Sequence, residues 1–430
     1  MLEKFFKLKE NKTTVKTEVI AGITTFMTMA YILAVNPDIL SKTGMDINAV
    51  FSATAISAIV GTLVMALWAK LPFALAPGMG LNAFFAFSVC IGMDCSWQFA
   101  LTAVFLEGII FLVLTVFNIR ELIVNSIPTN MKHAISAGIG LFIAFIGMQH
   151  AGLIVNNDAV LVGLGSMKEP TVLVMVFGLV IIGVLLALKV KGALLIGIFA
   201  ATVLGIPMGV TKLPDTSLIS TPPSVSSIAF QFDFHEIFSM KMLVVLFTFL
   251  FVDMFDTVGT LIGVSSKANM LDKDGKLPRV KQALFADAIG TTVGAALGTS
   301  TVTTYVESAS GVAEGGRTGL TSLTVAGMFL IALFLSPLFL MVPDAATAPA
   351  LIIVGSFMLS PILKVNLEDY TESIPVFLTV IMMPLAYSIA EGIVFGMLAF
   401  VILKLLSGRH KEISIVSYFL AVLFILKFLM

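Results

Sequence analysis

The chain reads as an all-α polytopic membrane protein with fourteen transmembrane spans, arranged as a 7+7 inverted repeat. Three observations predict this: the composition, the spacing of apolar runs, and the distribution of positive charge. Of 430 residues, 58% are hydrophobic and 12% charged, and mean hydropathy is +1.05, outside the range of soluble domains. A net charge of −1 offers no basic surface for nucleic acid. Cys90 and Cys95 are too few for a disulfide framework, and the reading requires no metal and no cofactor.

Residues 1–18 carry Lys4, Lys7, Lys9, Lys12 and Lys16 and are expected in the cytosol. The apolar run that follows is long enough to stay in the bilayer and ends in Asn36-Pro37-Asp38 rather than a small-residue cleavage pattern, so no cleavable signal is expected. Runs of about 17 to 25 apolar residues between polar breaks place the first seven spans at 19–38, 49–69, 72–90, 97–117, 130–148, 171–188 and 192–210. A Pro- and Ser-rich connector occupies 211–240. The second seven lie at 241–264, 281–297, 299–316, 318–341, 345–363, 373–387 and 389–407. The remaining residues, 408–430, end in ISIVSYFLAVLFILKFLM, apolar enough to span and equally able to lie along the interface. VGLGSM at 162–167 lacks the strand-to-helix context of a nucleotide fingerprint.

With a cytosolic N-terminus, twenty of the 25 Lys and Arg fall on the inner side. Only Lys42, Lys168, Lys212 and Lys241 fall outside, with Lys427 set aside in the C-terminal segment. This asymmetry is what the positive-inside rule requires, and a missed span would have scrambled it.

An odd number of spans in each half inverts the second half relative to the first. In inverted repeats the solute site is marked by Gly/Pro-interrupted spans at matching positions. The third span of each half qualifies. In LPFALAPGMGLNAFFAF, Pro72, Pro77, Gly78 and Gly80 cannot continue a straight helix. In LGTSTVTTYVESASGVAEGG, the β-branched run Thr299 to Tyr305 predicts a short extended segment, with a helix beginning near Glu307 and Ser308. Extended backbone at membrane depth must line a cavity or be buried in protein. Two half-helix N-termini would then face one central site. Carboxylates at membrane depth are costly and mark solute or proton paths. Asp253 and Asp256 in FVDMFDTVGTLIG share a helix face, so either can face the cavity; Glu307 and Asp287 are the other candidates. Thr24 and Thr25 could line the site or serve close helix packing. The four histidines, His133, His150, His235 and His410, lie at span ends or in loops, so no catalytic constellation sits in the bundle and no enzyme is expected.

These strings resemble the nucleobase/ascorbate transporter (xanthine/uracil permease) family, in its azaguanine-resistance-type branch of purine permeases. The resemblance runs through ITTFMTMAYILAVNP, APGMGLNAFF, DMFDTVGTLIG, ADAIGTTVGAALGTSTVTTYVESASG and GGRTGLTS. It implies a core domain of spans 1–4 and 8–11, a gate domain of spans 5–7 and 12–14, and proton-coupled uptake of a nucleobase at the cell (inner or plasma) membrane. A homodimer is compatible with it. The family's acid of span 8 falls on Asp256, the acid opening the span 10 helix on Glu307, and a further acid on Asp287; Asn82 is typical of the branch. Where uracil-type members have Gly before the span 10 acid this chain has Val306, and Thr260 stands where they have His, which favours a purine over xanthine or uracil.

The chemistry agrees. A purine edge alternates N–H donors with nitrogen and carbonyl acceptors. Glu307 can accept two adjacent N–H groups, Asn82 offers both a donor and an acceptor, and backbone N–H groups near Ser308 and Gly80 suit acceptors. Asp256, with Asp287 or Asp253, is the expected carrier of the coupling proton. A small-anion carrier of the same fold would call for a fixed positive charge or bare helix N-termini at the site, and Glu307 argues against it.

Overall fold

The computed structural model describes residues 2–117, 128–214, 217–267, 270 and 277–429. The helices, in order, are α1 (Leu2–Phe6), α2 (Val15–Met29), α3 (Ile32–Ser41), α4 (Ile47–Val64), α5 (Met79–Ala83), α6 (Trp97–Val116), α7 (Thr129–His150), α8 (Pro170–Ala187), α9 (Ala193–Gly205), α10 (Met240–Lys267), α11 (Val280–Leu297), α12 (Ser308–Ala313), α13 (Gly319–Ala332), α14 (Ser336–Leu340), α15 (Asp344–Leu359), α16 (Tyr370–Leu385), α17 (Ile389–Leu406) and α18 (Ile415–Leu429). Four short strands join them: β1 (Leu75–Pro77), β2 (Ile154–Asn157), β3 (Leu161–Leu164) and β4 (Val302–Thr304).

Eight helical stretches among the described residues are long and apolar enough to cross a membrane, which makes this a multi-pass membrane protein. Their ends are set by local chemistry. Thr14, Asp46, Ser96 and Ser388 each accept a backbone N–H at the helix they precede, satisfying donors that have no partner in the first turn. The interior of α8 is apolar all round, as expected for a helix in lipid or packed on every side.

Two sets of helices are visible in the packing. In one, α11 packs on α6 and α4, and α13 on α2 and α4; in the other, α15 packs on α7, α16 on α17 and α7, and α9 on α8. Glu18 joins elements within the first set. It is fully buried, and its carboxylate accepts from the backbone N–H groups of Arg317, Thr318 and Thr321 and from the Thr321 hydroxyl at 2.6 Å. One acid thereby satisfies the open N-terminal turn of α13.

The extended segments expected in spans 3 and 10 are present, and they pair. β1 runs antiparallel to β4 in the register Leu75↔Thr304, Ala76↔Thr303, Pro77↔Val302. All six residues are buried, and the ladder satisfies backbone groups that hydrocarbon could not. The first apolar run, expected as one span, forms one helical stretch, Val15–Ser41, with a local tightening at Ala30–Tyr31. There the chain tightens into i→i−3 bonds, with Leu33 donating to Ala30 and Ala34 to Tyr31.

The second two-stranded sheet was not expected. β2 and β3 form an exposed hairpin between α7 and α8, where Asn157 accepts the Ala159 N–H in the turn. Runs of four residues fall below what periodicity detects. Part of VGLGSM is therefore strand, in a hairpin rather than a phosphate-binding turn. At the C-terminus, α18 packs along α17; its 15 residues fall short of the about 20 that cross a bilayer unaided.

Candidate functional site

The ends of the β1–β4 ladder open onto a cavity between the two helix sets. It is lined by Tyr31 from the α2–α3 turn, Gly78 to Gly80 after β1, Asp256 and Thr260 of α10, Thr303 to Glu307, and Val354 and Met358 of α15. About 70 Å³ of it admits the centre of a water molecule, room for several waters.

Each wall has a local cause. Gly78 and Gly80 let the backbone come close. A Cβ on Gly78 would lie 2.6 Å from Thr303 Cγ2, and one on Gly80 2.7 Å from Ile139 Cγ2 of α7. The Tyr305 side chain is clamped by its hydroxyl donating to the Pro77 carbonyl at 2.5 Å. Tyr31 donates to Glu307 Oε1 at 2.8 Å. Asp256 and Glu307 both remain partly open to the cavity. Thr304 Oγ1 is buried with no hydrogen-bond partner among the described residues.

Of the residues expected at the site, Glu307, Asp256 and Gly80 come together on this cavity. Asn82, Ser308 and Thr25 do not line it. Ser300 donates to Asn82 Oδ1, and Asn82 Nδ2 reaches the Pro77 carbonyl at 3.5 Å, so this amide ties the start of β4 to the end of β1. Ser308 accepts the Ala74 N–H at 3.0 Å, bracing the same pair. Thr25 Oγ1 stands 2.1 Å from where a Cβ on Gly311 would sit, so it fills the close contact of α2 with α12. The half-helix geometry is also uneven. Helical backbone continues from Met79 to Gly92, whereas α12 has only six residues, too short to sum much of a dipole.

Asp253 and Asp287 lie one layer behind the cavity, fully buried. The Thr257 hydroxyl joins them, 3.0 Å from Asp253 Oδ1, 2.7 Å from Asp287 Oδ1 and 2.7 Å from Thr303 Oγ1. A hydroxyl has one proton to give and two lone pairs. If Thr303 donates to Thr257 and Thr257 to one aspartate, the third contact is a hydrogen bond only when the other aspartate is protonated. If Thr257 donates to Thr303, both aspartates must be. Every arrangement with three hydrogen bonds places at least one proton on the pair. Thr303 links this layer to the cavity wall.

Sequence reasoning passed over Tyr31, Tyr305 and Thr304 as site residues. Tyr305 and Thr304 stood within the β-branched run, read there for backbone alone. Tyr31 gave only one signal, a lone phenol in an otherwise apolar stretch.

Away from the cavity, Asp38, His150 and Asp344 bring metal-type donors within 4.8 Å of one another. The Lys42 ammonium already bridges these two carboxylates, at 3.1 Å from Asp38 and 2.5 Å from Asp344, so a fixed positive charge fills the place of a cation.

Comparison with known proteins gives a consistent picture. The Permease family model for xanthine/uracil-type carriers matches residues 16–395. Adenine permease AdeP of Escherichia coli is 46% identical, covering 99% of this chain and 96% of that protein. Guanine/hypoxanthine permease PbuG of Bacillus subtilis is 45% identical, covering 100% and 99%. Among solved structures, the transmembrane domain of a cyanobacterial bicarbonate transporter, BicA, superposes with a TM-score of 0.68 at 15% identity, covering 87% of this chain and 97% of that one. SLC26A9 superposes with a TM-score of 0.62 over 94% of this chain and 69% of its own. These two share the fold.

Proposed function

We infer function from a single premise, that the chain belongs to the xanthine/uracil permease family, and propose that it takes up purine nucleobases across the cell membrane by proton-coupled secondary transport. It is a transporter and not an enzyme. The named relatives carry adenine in one case and guanine or hypoxanthine in the other, and their similarity extends along essentially the whole chain.

One observation carries the proposal in this chain's own residues: Glu307 and Asp256 share one cavity with the backbone of Met79 and Gly80 and a Thr304 hydroxyl that has no hydrogen-bond partner among the described residues. Carboxylate acceptors beside backbone donors complement the alternating edge of a purine. A base lacking the right N–H would strand a buried acceptor, which is how such a site discriminates. Two acids on the wall disfavour a small anion, and Thr260 with Val306 favours a purine over uracil or xanthine.

In this reading the two helix sets are the core and the gate, and their relative motion gives alternating access. The fourteen-span inverted repeat and the cytosolic N-terminus belong to the same proposal. The proton is assigned to Asp256, which faces the cavity, with Asp253 and Asp287, joined through the Thr257 hydroxyl, as the carboxylates behind it. Uptake of labelled guanine, hypoxanthine, adenine, xanthine and uracil into proteoliposomes, with and without an inward proton gradient, tests it. Saturable purine accumulation that follows the gradient is expected. Absence of purine uptake, or accumulation driven by Na⁺ alone, defeats it.

A further inference from the structure

Tyr31 is 1% exposed, stands in the turn that divides α2 from α3, and lines the cavity while its hydroxyl donates to Glu307 Oε1 at 2.8 Å. Glu307 stands at the N-cap of the six-residue α12 and makes no side-chain capping bond to that helix; its carboxylate is held by Tyr31 and by its own backbone N–H. Its carboxylate is carried on three rotatable bonds, and a group that must meet a flat heterocycle edge-on loses affinity for each torsion left to be fixed on binding. The Tyr31 bond is the one side-chain contact, beside the residue's own backbone N–H, that fixes it beforehand.

We propose that Tyr31 is the positioning residue for solute recognition: by holding one oxygen of Glu307 it sets the plane of the carboxylate and directs the other oxygen to the N–H edge of the base. The proposal rests on the purine reading above. Tyr31 sits where the bonds of the Val15–Ser41 helical stretch tighten, and its phenol lines the cavity there. Tyr31 is thus tied to binding rather than to turnover.

The test compares Tyr31→Phe, which removes only the hydroxyl, in two backgrounds. In the native background KM for guanine and hypoxanthine should rise roughly tenfold, the scale of a lost hydrogen bond to a charged group, with the maximal rate and thermal stability retained. In a Glu307→Gln background, equilibrium binding of labelled guanine should show a much smaller effect of the same substitution, because no carboxylate remains to be aligned. An unchanged KM, or equal fold-changes in both backgrounds, overturns the proposal. Should Tyr31→Phe not reach the membrane, 3-fluorotyrosine at position 31, a stronger donor of nearly the same shape, takes its place. It should shift KM in the native background and not with Gln at 307, and no shift in either overturns the proposal. If wild-type protein takes up no purine, the family-based reading has failed; if it does and these shifts are missing, only the role of Tyr31 has.

Discussion

Tyr305 donates a hydrogen bond to the carbonyl of Pro77 at 2.5 Å, across 228 residues of sequence. It closes the edge of the β1–β4 ladder where strand gives way to cavity, so the last ladder carbonyl and the last site side chain are one feature.

Tyr305→Phe should therefore loosen the ladder. The Pro77 carbonyl would keep only the 3.5 Å contact from Asn82, and a lost buried hydrogen bond costs about 0.5–1.5 kcal/mol, so the variant should melt at a lower temperature in detergent and bind purines more weakly. Unchanged melting and unchanged affinity together would show that the clamp contributes nothing.

Glu307→Gln removes the charge that accepts the base's N–H groups. The loss of a charge-assisted bond of about 1.5–3 kcal/mol should weaken guanine or hypoxanthine binding at least roughly tenfold. Affinity equal to wild type in equilibrium binding would take Glu307 out of the site.

Asp256→Asn should separate binding from coupling. Uphill accumulation driven by an inward proton gradient should vanish while purine exchange between the two sides persists. Undiminished accumulation by this variant would move the proton to Asp253 and Asp287, joined through Thr257, where Asp287→Asn would then be the uncoupling change.

Asn82→Ala should act indirectly, because the amide holds Ser300 and the Pro77 carbonyl rather than lining the cavity. Transport should fall through lower stability and turnover, with the ranking of purines unchanged. A variant with normal stability but altered ranking would place Asn82 in contact with the base after all.

The membrane class and the two interrupted segments were legible in the chain itself, because hydrocarbon imposes simple rules on residue type: long apolar runs, basic flanks, and breaks only where backbone can be satisfied otherwise. For the same reason Asp256 and Glu307 stood out, since an acid at membrane depth is too costly to be incidental. Periodicity and composition are local, however, and what they could not reach was long-range. Nothing near Asn82 indicates Ser300, nothing near Thr25 indicates Gly311, and nothing near Tyr31 indicates Glu307, 276 residues away. Which of two acids one turn apart faces the cavity depends on the rotation of α10 against its neighbours, and packing sets that rotation. The tertiary structure turned Asp256 to the cavity and Asp253 to Thr257 and Asp287, and it moved Asn82, Ser308 and Thr25 from the wall to the framework behind it.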